Sequence, residues 1–299
     1  MQDLVIGTYF FSLTILFLFG SSGFFMIYNY LKYRNRTSPA PEPLDRFPVV
    51  TIQLPVYNEL YVVGRLIDVV CSMDYPKDRL EIQVLDDSTD ETVDVVAERV
   101  VFYRECGHRI HHLRRTDRTG YKAGALRKGL ETAAGEFVAI FDADFIPNRD
   151  FLKKTLPYFS DPKIGLVQTR WEHINADYSF LTRVQAMALD GHFVIEQQVR
   201  NKAGHFINFN GTAGIWRTSC ILDAGNWEAD TLTEDLDLSY RAQLRGWKFK
   251  FLRDVTSPSE LPSEINALKS QQYRWTKGAI ETARKILPRV WKSDLPFDR

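Results

Sequence analysis

Apolar residues form one long uninterrupted run near the start of the chain. From Leu4 to Leu31 there is no charged residue, and Phe, Leu, Ile and Val dominate. At about 1.5 Å of rise per residue, this run can cross the roughly 30 Å hydrocarbon core of a bilayer, which predicts a membrane-spanning helix. A signal peptide is the alternative, but the chain opens on "MQD" without a positive leader, and the run is too long for the core of a signal peptide.

Basic residues follow the apolar run directly, at Lys32, Arg34 and Arg36. Positive charge beside a membrane span favours the cytosolic side, so we expect the rest of the chain there, attached to the membrane. Residues 37–48 are rich in proline and predict a short extended spacer. The first two predicted segments are therefore an anchor with its basic flank at 1–36 and a linker at 37–48.

From residue 49 onward, short apolar runs alternate with longer amphipathic stretches. The apolar runs predict strands at Val49–Leu54, Leu80–Asp87, Arg109–Arg115 and Glu136–Asp144. The stretches between them predict helices from about Glu59 to Met73, from Ser88 or Thr89 toward Cys106, and over Ala123–Gly135. Helices that alternate with strands indicate an α/β fold with parallel pairing and a sheet covered on both faces.

Two later stretches also have helical spacing. Asp177–Arg200 places Phe180, Val184 and Met187 on one side, which favours either core packing or contact with a membrane surface. The stretch from about Glu264 to Leu287 carries several basic residues and is typical of an amphipathic helix that lies on a membrane.

Composition restricts the function classes. The 299 residues include 38 basic and 38 acidic side chains, so no overall positive field indicates a nucleic-acid partner. The three cysteines are widely spaced and form no C-x-x-C, which disfavours a disulfide framework and a zinc site. A reducing compartment fits this pattern best.

Acidic residues follow three of the predicted strands. They are Glu59, the pair Asp86 and Asp87, and the pair Asp142 and Asp144. Ligands bind at the carboxyl ends of parallel strands, so these groups are expected to converge there. Asp142 and Asp144 either form an ordinary strand-ending turn or hold a cation that offsets their repulsion. Mg²⁺ or Mn²⁺ suits two carboxylates, and a nucleoside diphosphate would complete its coordination.

Other phosphate chemistries fit less well. The chain has neither G-x-x-x-x-G-K-[ST] nor a G-x-G-x-x-G after its first strand, which argues against a P-loop enzyme and a dinucleotide-binding fold. A phosphatase with an attacking aspartate also uses Asp-x-Asp, but on its opening strand, whereas three predicted strands come before Asp142 here. That alternative stays open as the weaker one.

Two further stretches indicate chemistry beyond the simple fold. "FNGTAGIWR" from Phe209 concentrates small residues, as an ordinary turn does, or as a loop does when its backbone approaches a ligand. "TLTEDLDLSY" places Glu234 and Asp235 at the start of a predicted helix, where Thr233 as N-cap and acids in the first turn are expected in any case.

Four motifs occur together in a fixed order: "VLDDSTD", "DAD", "TED" and "QQYRW". In this order they resemble the processive family 2 glycosyltransferases with a GT-A fold, the cellulose-synthase superfamily. "RTGYKAGAL", "LVQTRW" and "FNGTAGIWR" look most like its mannan and glucomannan synthases, with xyloglucan-backbone glucan synthases close behind. The resemblance covers about residues 49–287. It implies inverting transfer of a hexose from a nucleoside-diphosphate sugar to a growing β-glycan.

The resemblance implies roles for the residues at the donor end. Asp87, with Asp86 beside it, would contact the nucleoside, and Lys122 would lie near the base and diphosphate. Asp142 and Asp144 would bind the diphosphate through Mg²⁺ or Mn²⁺, and Asp144 is the better candidate for a direct metal ligand. Glu59 belongs with these donor-binding groups, and Arg274 would pair with the diphosphate.

The resemblance also implies roles at the acceptor end. Asp235 would take the proton from the acceptor hydroxyl, and Trp275 would present its ring to the acceptor sugar. The other predicted acceptor-binding residues are Asn210, Gly211, Thr212, Glu234 and Gln271.

The expected organisation is a GT-A domain at 49–260 followed by the amphipathic segment at 261–299. Synthases of this superfamily continue into further transmembrane helices, so the chain is expected to be a fragment, and a single-anchor transferase is the alternative. Three functions stay open: a transferase that prefers GDP-mannose, the same enzyme with UDP-glucose, and a catalytically silent sugar-nucleotide-binding subunit. Further membrane segments or subunits are expected as partners beside donor, acceptor and bilayer.

Overall fold

A computed structural model describes residues 2–33 and 41–293 of the chain. The predicted basic residues Arg34 and Arg36, the first part of the predicted linker and the last six residues lie outside this described part.

The described residues contain one seven-stranded sheet with the order β3-β2-β1-β4-β6-β5-β7. Its strands are β1 Val50–Val56, β2 Leu80–Asp86, β3 Arg109–Arg114, β4 Phe137–Ile140, β5 Ile164–His173, β6 Gly214–Arg217 and β7 Lys248–Ser259. β1 pairs in parallel with β2 and β4, and β2 pairs in parallel with β3. β6 runs antiparallel to both of its neighbours, and β5 and β7 are parallel.

Ten α-helices lie in the described residues. They are α1 Gln2–Tyr33, α2 Val63–Cys71, α3 Thr92–Glu105, α4 Tyr121–Leu130, α5 Phe151–Thr155, α6 Phe180–Asp190, α7 Gln198–Ala203, α8 Thr218–Asp223, α9 Glu234–Leu244 and α10 Ile265–Trp291. A π-helical segment, Gly191–Gln197, joins α6 to α7 without a break.

The predicted α/β fold is confirmed, and the four predicted strands pair in parallel. Strand β4 is shorter than predicted, because it ends at Ile140 and its two acids lie in the turn that follows. β5, β6 and β7 were not predicted, although "LVQTRW" and "GIWR" lie in β5 and β6. The sequence predicts a loop here, because small residues precede β6 and Gly214 begins it.

Both faces of the sheet are covered by apolar side chains. Ile52 and Leu54 of β1 are fully buried in one cluster, which α2 and α3 complete. Trp216 of β6 is fully buried in the other cluster, together with Leu126 and Leu238. Burial of side chains of this size contributes about 1.5–3 kcal/mol each, so the sheet is a firm support for the turns at its edge.

Helix α1 is the one helix of the described residues that is long and apolar enough to cross a membrane by length and composition. A signal sequence would meet the same criterion. The helix contacts α7, and the rings of Phe25 and His205 lie 5.5 Å apart.

The apolar side of α6 faces away from the core. Phe180 and Met187 are 84% and 71% exposed, and Val184 is also exposed, whereas Thr182 and Ala186 are buried. Core packing is therefore wrong for this stripe, because the small and polar side of the helix packs inward. Contact with a membrane surface stays a prediction.

Candidate functional site

The two acids of "DAD" lie in a turn at the carboxyl end of β4. The backbone N–H of Phe141 still donates to Gln53 O of β1 at 3.2 Å, and the N–H of Phe145 donates to Asp142 O at 3.1 Å. One residue further, the N–H of Ile146 donates to Pro258 O of β7 at 2.8 Å. The segment around the turn is thus hydrogen-bonded to both β1 and β7.

Lys122 connects this turn to the loop before β6. Its Nζ donates to Asp142 Oδ1 at 2.5 Å and to Gly211 O at 2.9 Å. The backbone N–H of Asp142 donates to Thr212 Oγ1 at 2.9 Å. The predicted donor and acceptor residues therefore share one hydrogen-bond network.

Asp144 carries the more perturbed carboxyl of the pair. Burial raises its pKa to about 7, and the neighbouring charges of Asp142 and Glu59 raise it further than Lys122 can oppose. Burial and Asp142 also raise the pKa of Glu59. Within the described residues, no Lys, Arg or His lies within ion-pair distance of Asp144. This corner of the site has an excess of negative charge that a divalent cation would offset.

The loop before β6 comes close to Asp235. Gly211 has φ +81°, and a Cβ built on it would lie 3.1 Å from Asp235 Oδ2 and 3.6 Å from Lys122 Nζ. A side chain at this position would be strained and would crowd the Asp235 carboxylate. The loop is fixed by Gln168, whose Oε1 accepts from the N–H of Asn210 at 3.0 Å and whose Nε2 donates to Thr212 O at 3.1 Å.

Helix α9 begins at the site with Glu234 and Asp235. Burial raises the pKa of Asp235 to about 7, and the adjacent Glu234 raises it further, while the N–H of Leu236 and the Lys122 ammonium oppose the shift. The N–H of Leu236 donates to Asp235 Oδ1 at 2.8 Å, which fixes the carboxylate. Burial also raises the pKa of Glu234. A carboxyl that titrates near neutral pH is suited to proton transfer.

Thr233 occupies the N-cap position of α9 but does not cap the helix with its hydroxyl. Its Oγ1 lies 3.1 Å from Thr282 Oγ1 of α10 instead. A Cβ on Gly278 would lie 2.5 Å from Thr233 Cγ2, so only glycine allows this close approach of the two helices. The start of α9 is therefore positioned by α10.

Lys122 remains a cation in this environment. Burial by itself would lower the pKa of Lys122, but the charges of Asp142, Glu234 and Asp235 outweigh burial and raise it. The ammonium is thus a fixed positive charge between the metal-binding candidates and the candidate base.

Asp86 and Asp87 are held by protein partners. Asp86 is fully buried; its Oδ2 lies 2.7 Å from His112 Nε2, and its Oδ1 accepts from the N–H of Ser88 at 2.8 Å. These partners outweigh burial, so the pKa of Asp86 is lowered. Both carboxylate oxygens of Asp87 accept hydrogen bonds from the Arg115 guanidinium. Nε donates to Oδ1 at 2.8 Å, and Nη2 donates to Oδ2. The predicted contact of either acid with a nucleoside stays a prediction.

Helix α10 brings part of "QQYRW" to the same place. Gln271 and Asp144 both line an open cavity of about 360 Å³, together with the 260–264 segment. Arg274 is exposed, and the ring of Trp275 lies 6.5 Å from that of Trp171. Gln271 thus shares a cavity with Asp144, whereas Arg274 has no carboxylate within ion-pair distance in the described part of the chain.

Several residues of the network were not assigned roles from the sequence. Gln168 lies in "LVQTRW", where a polar side chain directly after the apolar pair Leu166 and Val167 was the available signal. Asn210 accepts at Oδ1 from Gln197 Nε2 at 2.8 Å, and its Nδ2 lies 3.1 Å from His192 Nε2. His192 and Gln197 belong to the π-helical segment, which the helical spacing of the sequence does not reveal.

Comparisons with known proteins show which family the chain is similar to. A family model described as "Glycosyltransferase like family 2" matches residues 48–278. The chain is 48% identical over 252 residues to "Probable glucomannan 4-beta-mannosyltransferase 4" of Oryza sativa subsp. japonica, which covers 83% of this chain and 46% of the relative. It is 47% identical over 251 residues to "Glucomannan 4-beta-mannosyltransferase 2" of Arabidopsis thaliana, covering 82% and 47%. The chain therefore spans about half the length of these relatives.

Solved structures with low sequence identity share the fold. A mannosyltransferase from Pyrobaculum calidifontis, in complex with GDP-Man and Mn²⁺, superposes with a TM-score of 0.75 at 23% identity, covering 92% of this chain and 75% of that one. S. aureus TarS 1-349 in complex with UDP-GlcNAc superposes with a TM-score of 0.62 at 18% identity, covering 83% and 68%.

Proposed function

The chain belongs to the family 2 glycosyltransferases, as its motifs predicted, and from this premise we propose that it transfers mannose from GDP-mannose to a growing β-glycan. The names of the relatives support mannose as the sugar, and the archaeal neighbour with GDP-Man and Mn²⁺ supports the donor. The chain spans about half the length of these relatives, and the proposed activity is that of the whole protein.

One observation carries the proposal. A single ammonium group, Lys122 Nζ, donates hydrogen bonds to both Asp142 and Gly211 O, and a Cβ built on Gly211 would lie 3.1 Å from Asp235 Oδ2. Lys122 thereby links the turn that carries the candidate metal ligands to the loop that comes close to the candidate base. Displacement at an anomeric carbon is assisted by stabilisation of the leaving group and by a base that takes the acceptor proton.

The donor would bind at the turn after β4. Asp142 and Asp144 would hold Mg²⁺ or Mn²⁺, because Asp144 has a raised pKa and no cationic partner among the described residues. When bound, such an ion stabilises the negative charge that develops on the departing diphosphate. Lys122 and Arg274 would add positive charge to the same phosphates, and Glu59, Asp86 and Asp87 complete the proposed donor side.

The acceptor would approach from the Asn210–Thr212 loop. Its hydroxyl oxygen forms a bond to the anomeric carbon while the bond from that carbon to the diphosphate oxygen breaks, and Asp235 receives the hydroxyl proton. Attack opposite the leaving group inverts the anomeric centre and needs no covalent intermediate. Glu234, Gln271 and Trp275 would orient the acceptor sugar.

The membrane is the proposed location. Helix α1 would serve as the anchor, and the exposed apolar side of α6 would face the bilayer surface. The catalytic residues would then lie on the cytosolic side, beside further membrane segments or subunits. The division into anchor, linker, domain and amphipathic segment is part of the same proposal.

The test is release of nucleoside diphosphate by the full-length enzyme in membranes. GDP-mannose and UDP-glucose are supplied separately with Mn²⁺ or Mg²⁺ and a short β-manno- or gluco-oligosaccharide. Faster release from GDP-mannose supports the proposal, and preference for UDP-glucose would replace it with a β-glucan synthase. Metal-dependent binding without any release would favour a silent subunit, and hydrolysis of a simple phosphomonoester would indicate a phosphatase.

A further inference from the structure

The Arg118 guanidinium lies over the exposed ring of Tyr57, just after β1. Its guanidinium carbon is 3.2 Å from the ring centre of Tyr57 and 5.2 Å from that of Tyr121. Both rings are partly open to solvent. No carboxylate of the described residues lies within ion-pair distance of Arg118, so the guanidinium keeps its N–H groups for another partner.

Hydrogen bonds from Arg115 fix the loop that carries Arg118. The Arg115 guanidinium, which is paired with the Asp87 carboxylate, donates to Thr119 O at 2.9 Å and to Tyr121 O at 3.0 Å. Gly120 and Tyr121 both have positive φ, +74° and +48°, and the second is unusual for a residue with a side chain. Backbone strain of this kind persists only where the surroundings enforce it, as they do at ligand sites.

The same loop leads directly into the catalytic network. Lys122, which binds Asp142, follows Tyr121 in the chain. Tyr57 follows β1, and its neighbour Asn58 receives and donates hydrogen bonds with Ser88 and Thr89 in the loop after β2. Arg118 therefore lies where the loops after three parallel strands meet.

We propose that Arg118 selects the nucleoside base of the donor and favours guanine over uracil. The inference rests on the proposed function. A separation of 3.2 Å is a stacking contact, so the guanidinium occupies the face of Tyr57 that a base would cover. A base that stacks there displaces the guanidinium to its edge. Guanine presents two adjacent acceptors, O6 and N7, to a planar fork of N–H donors. Uracil has no such adjacent pair, because its two carbonyls flank an N–H.

Asp87 has a defined part in this arrangement. It is a positioning residue, because it holds Arg115 and Arg115 holds the carbonyls on either side of Gly120. The base specificity would thus depend on a chain of contacts from the "DD" motif to the Arg118 side chain.

The experiment measures equilibrium binding of GDP and of UDP, each with Mn²⁺, to the detergent-solubilised full-length protein. Four forms are compared: the unaltered protein, Arg118→Ala, Arg118→Lys and Arg127→Ala. Arg118→Lys keeps the charge but removes the planar fork. Arg127→Ala is the matched control, since Arg127 is an exposed arginine further along α4.

We expect Arg118→Ala to weaken GDP binding by roughly tenfold or more, as for loss of one bidentate arginine–guanine contact, with little change for UDP. Arg118→Lys should lose most of the preference, and Arg127→Ala should retain it. Equal losses for both nucleotides, or unchanged GDP binding, would overturn the inference and leave the proposed function intact. A preference of the unaltered protein for UDP would overturn both the inference and GDP-mannose as the proposed donor. Failure of the unaltered protein to bind either nucleotide with metal would overturn the proposed function as well.

Discussion

Lys285 of α10 lies 2.9 Å from Asp237 of α9, two residues beyond the candidate base. Its Nζ also lies 2.5 Å from Glu228 and 2.7 Å from Asp230. The oxygens of these three carboxylates lie within 4.8 Å of one another, which is compact enough for a metal ion. Lys285 and Arg241 already supply their positive charge, so the cluster joins α10 to α9 through ion pairs.

Lys285→Met should destabilise the protein and impair the site at a distance. The fully buried Asp237 would lose one of its two cationic partners. Breaking a buried ion pair lowers the free energy of unfolding by about 3–5 kcal/mol, and the remaining Arg241 partner should reduce this loss. Because α10 also positions Thr233, the start of α9 should shift, and both donor and acceptor KM should rise. Thermal unfolding and steady-state kinetics in membranes measure the two effects.

Lys277→Met is the matched control for this change. Lys277 lies on the same helix but is half-exposed and 3.8 Å from Glu281, so its loss should change the unfolding temperature little. Equal behaviour of the two variants would contradict a linking role for Lys285.

Asp144→Asn should abolish metal-dependent donor binding, because the asparagine cannot supply the charge that a divalent ion requires. Nucleotide binding with and without Mn²⁺ measures this. Asp254→Asn makes the same substitution at a side chain that is 85% exposed, and this variant should bind normally. Tight binding by Asp144→Asn in the presence of a chelator would remove the metal role.

The same variant should also change how stability depends on pH in the absence of metal. The pKa of Asp144 is raised to about 7, above the usual value near 3.9 in an unfolded chain. Its contribution to stability is therefore present at low pH and is lost as the pH rises from about 4 through 7. Asp144→Asn should flatten this decline in the unfolding temperature, and an unchanged slope would contradict the raised pKa.

Asp235→Asn should keep donor binding and lose transfer by about 100- to 10,000-fold, the usual contribution of a general base. In the unaltered enzyme the carboxylate is the active form, so the rate should rise with pH through about 7. Glu234→Gln removes a neighbouring charge that raises the pKa of Asp235, and it should move this midpoint to lower pH. Near-normal turnover by Asp235→Asn would exclude it as the base.

The sequence predicts the part of the site that follows periodic strands. The positions of Asp142 and Asp144 follow from the apolar run before them, and parallel pairing brings Glu59 near them. The contact of Gly211 with Asp235 does not follow from any local pattern, because it depends on the antiparallel strand β6 and on Gln168, which is distant in sequence. The partners of Asp86 and Asp87 were missed for a related reason: His112 and Arg115 lie on a neighbouring strand and the loop after it. Tertiary pairing, rather than propensity, decides these contacts.

Arg274→Ala should weaken donor binding if the exposed guanidinium of α10 turns to the diphosphate. Arg274 lies one helical turn after Gln271, which lines the cavity beside Asp144, so the side chain can reach this end of the site. Loss of one charge-assisted contact should cost about 1.5–3 kcal/mol, which raises the donor KM roughly tenfold or more. Arg284→Ala is the control, since Arg284 is an exposed arginine of the same helix, further from Gln271. Release of GDP at varied donor concentration separates the two variants. If Arg274→Ala and Arg284→Ala behave alike, the exposed arginines of α10 serve the membrane surface, and the diphosphate relies on Lys122 and the metal ion alone.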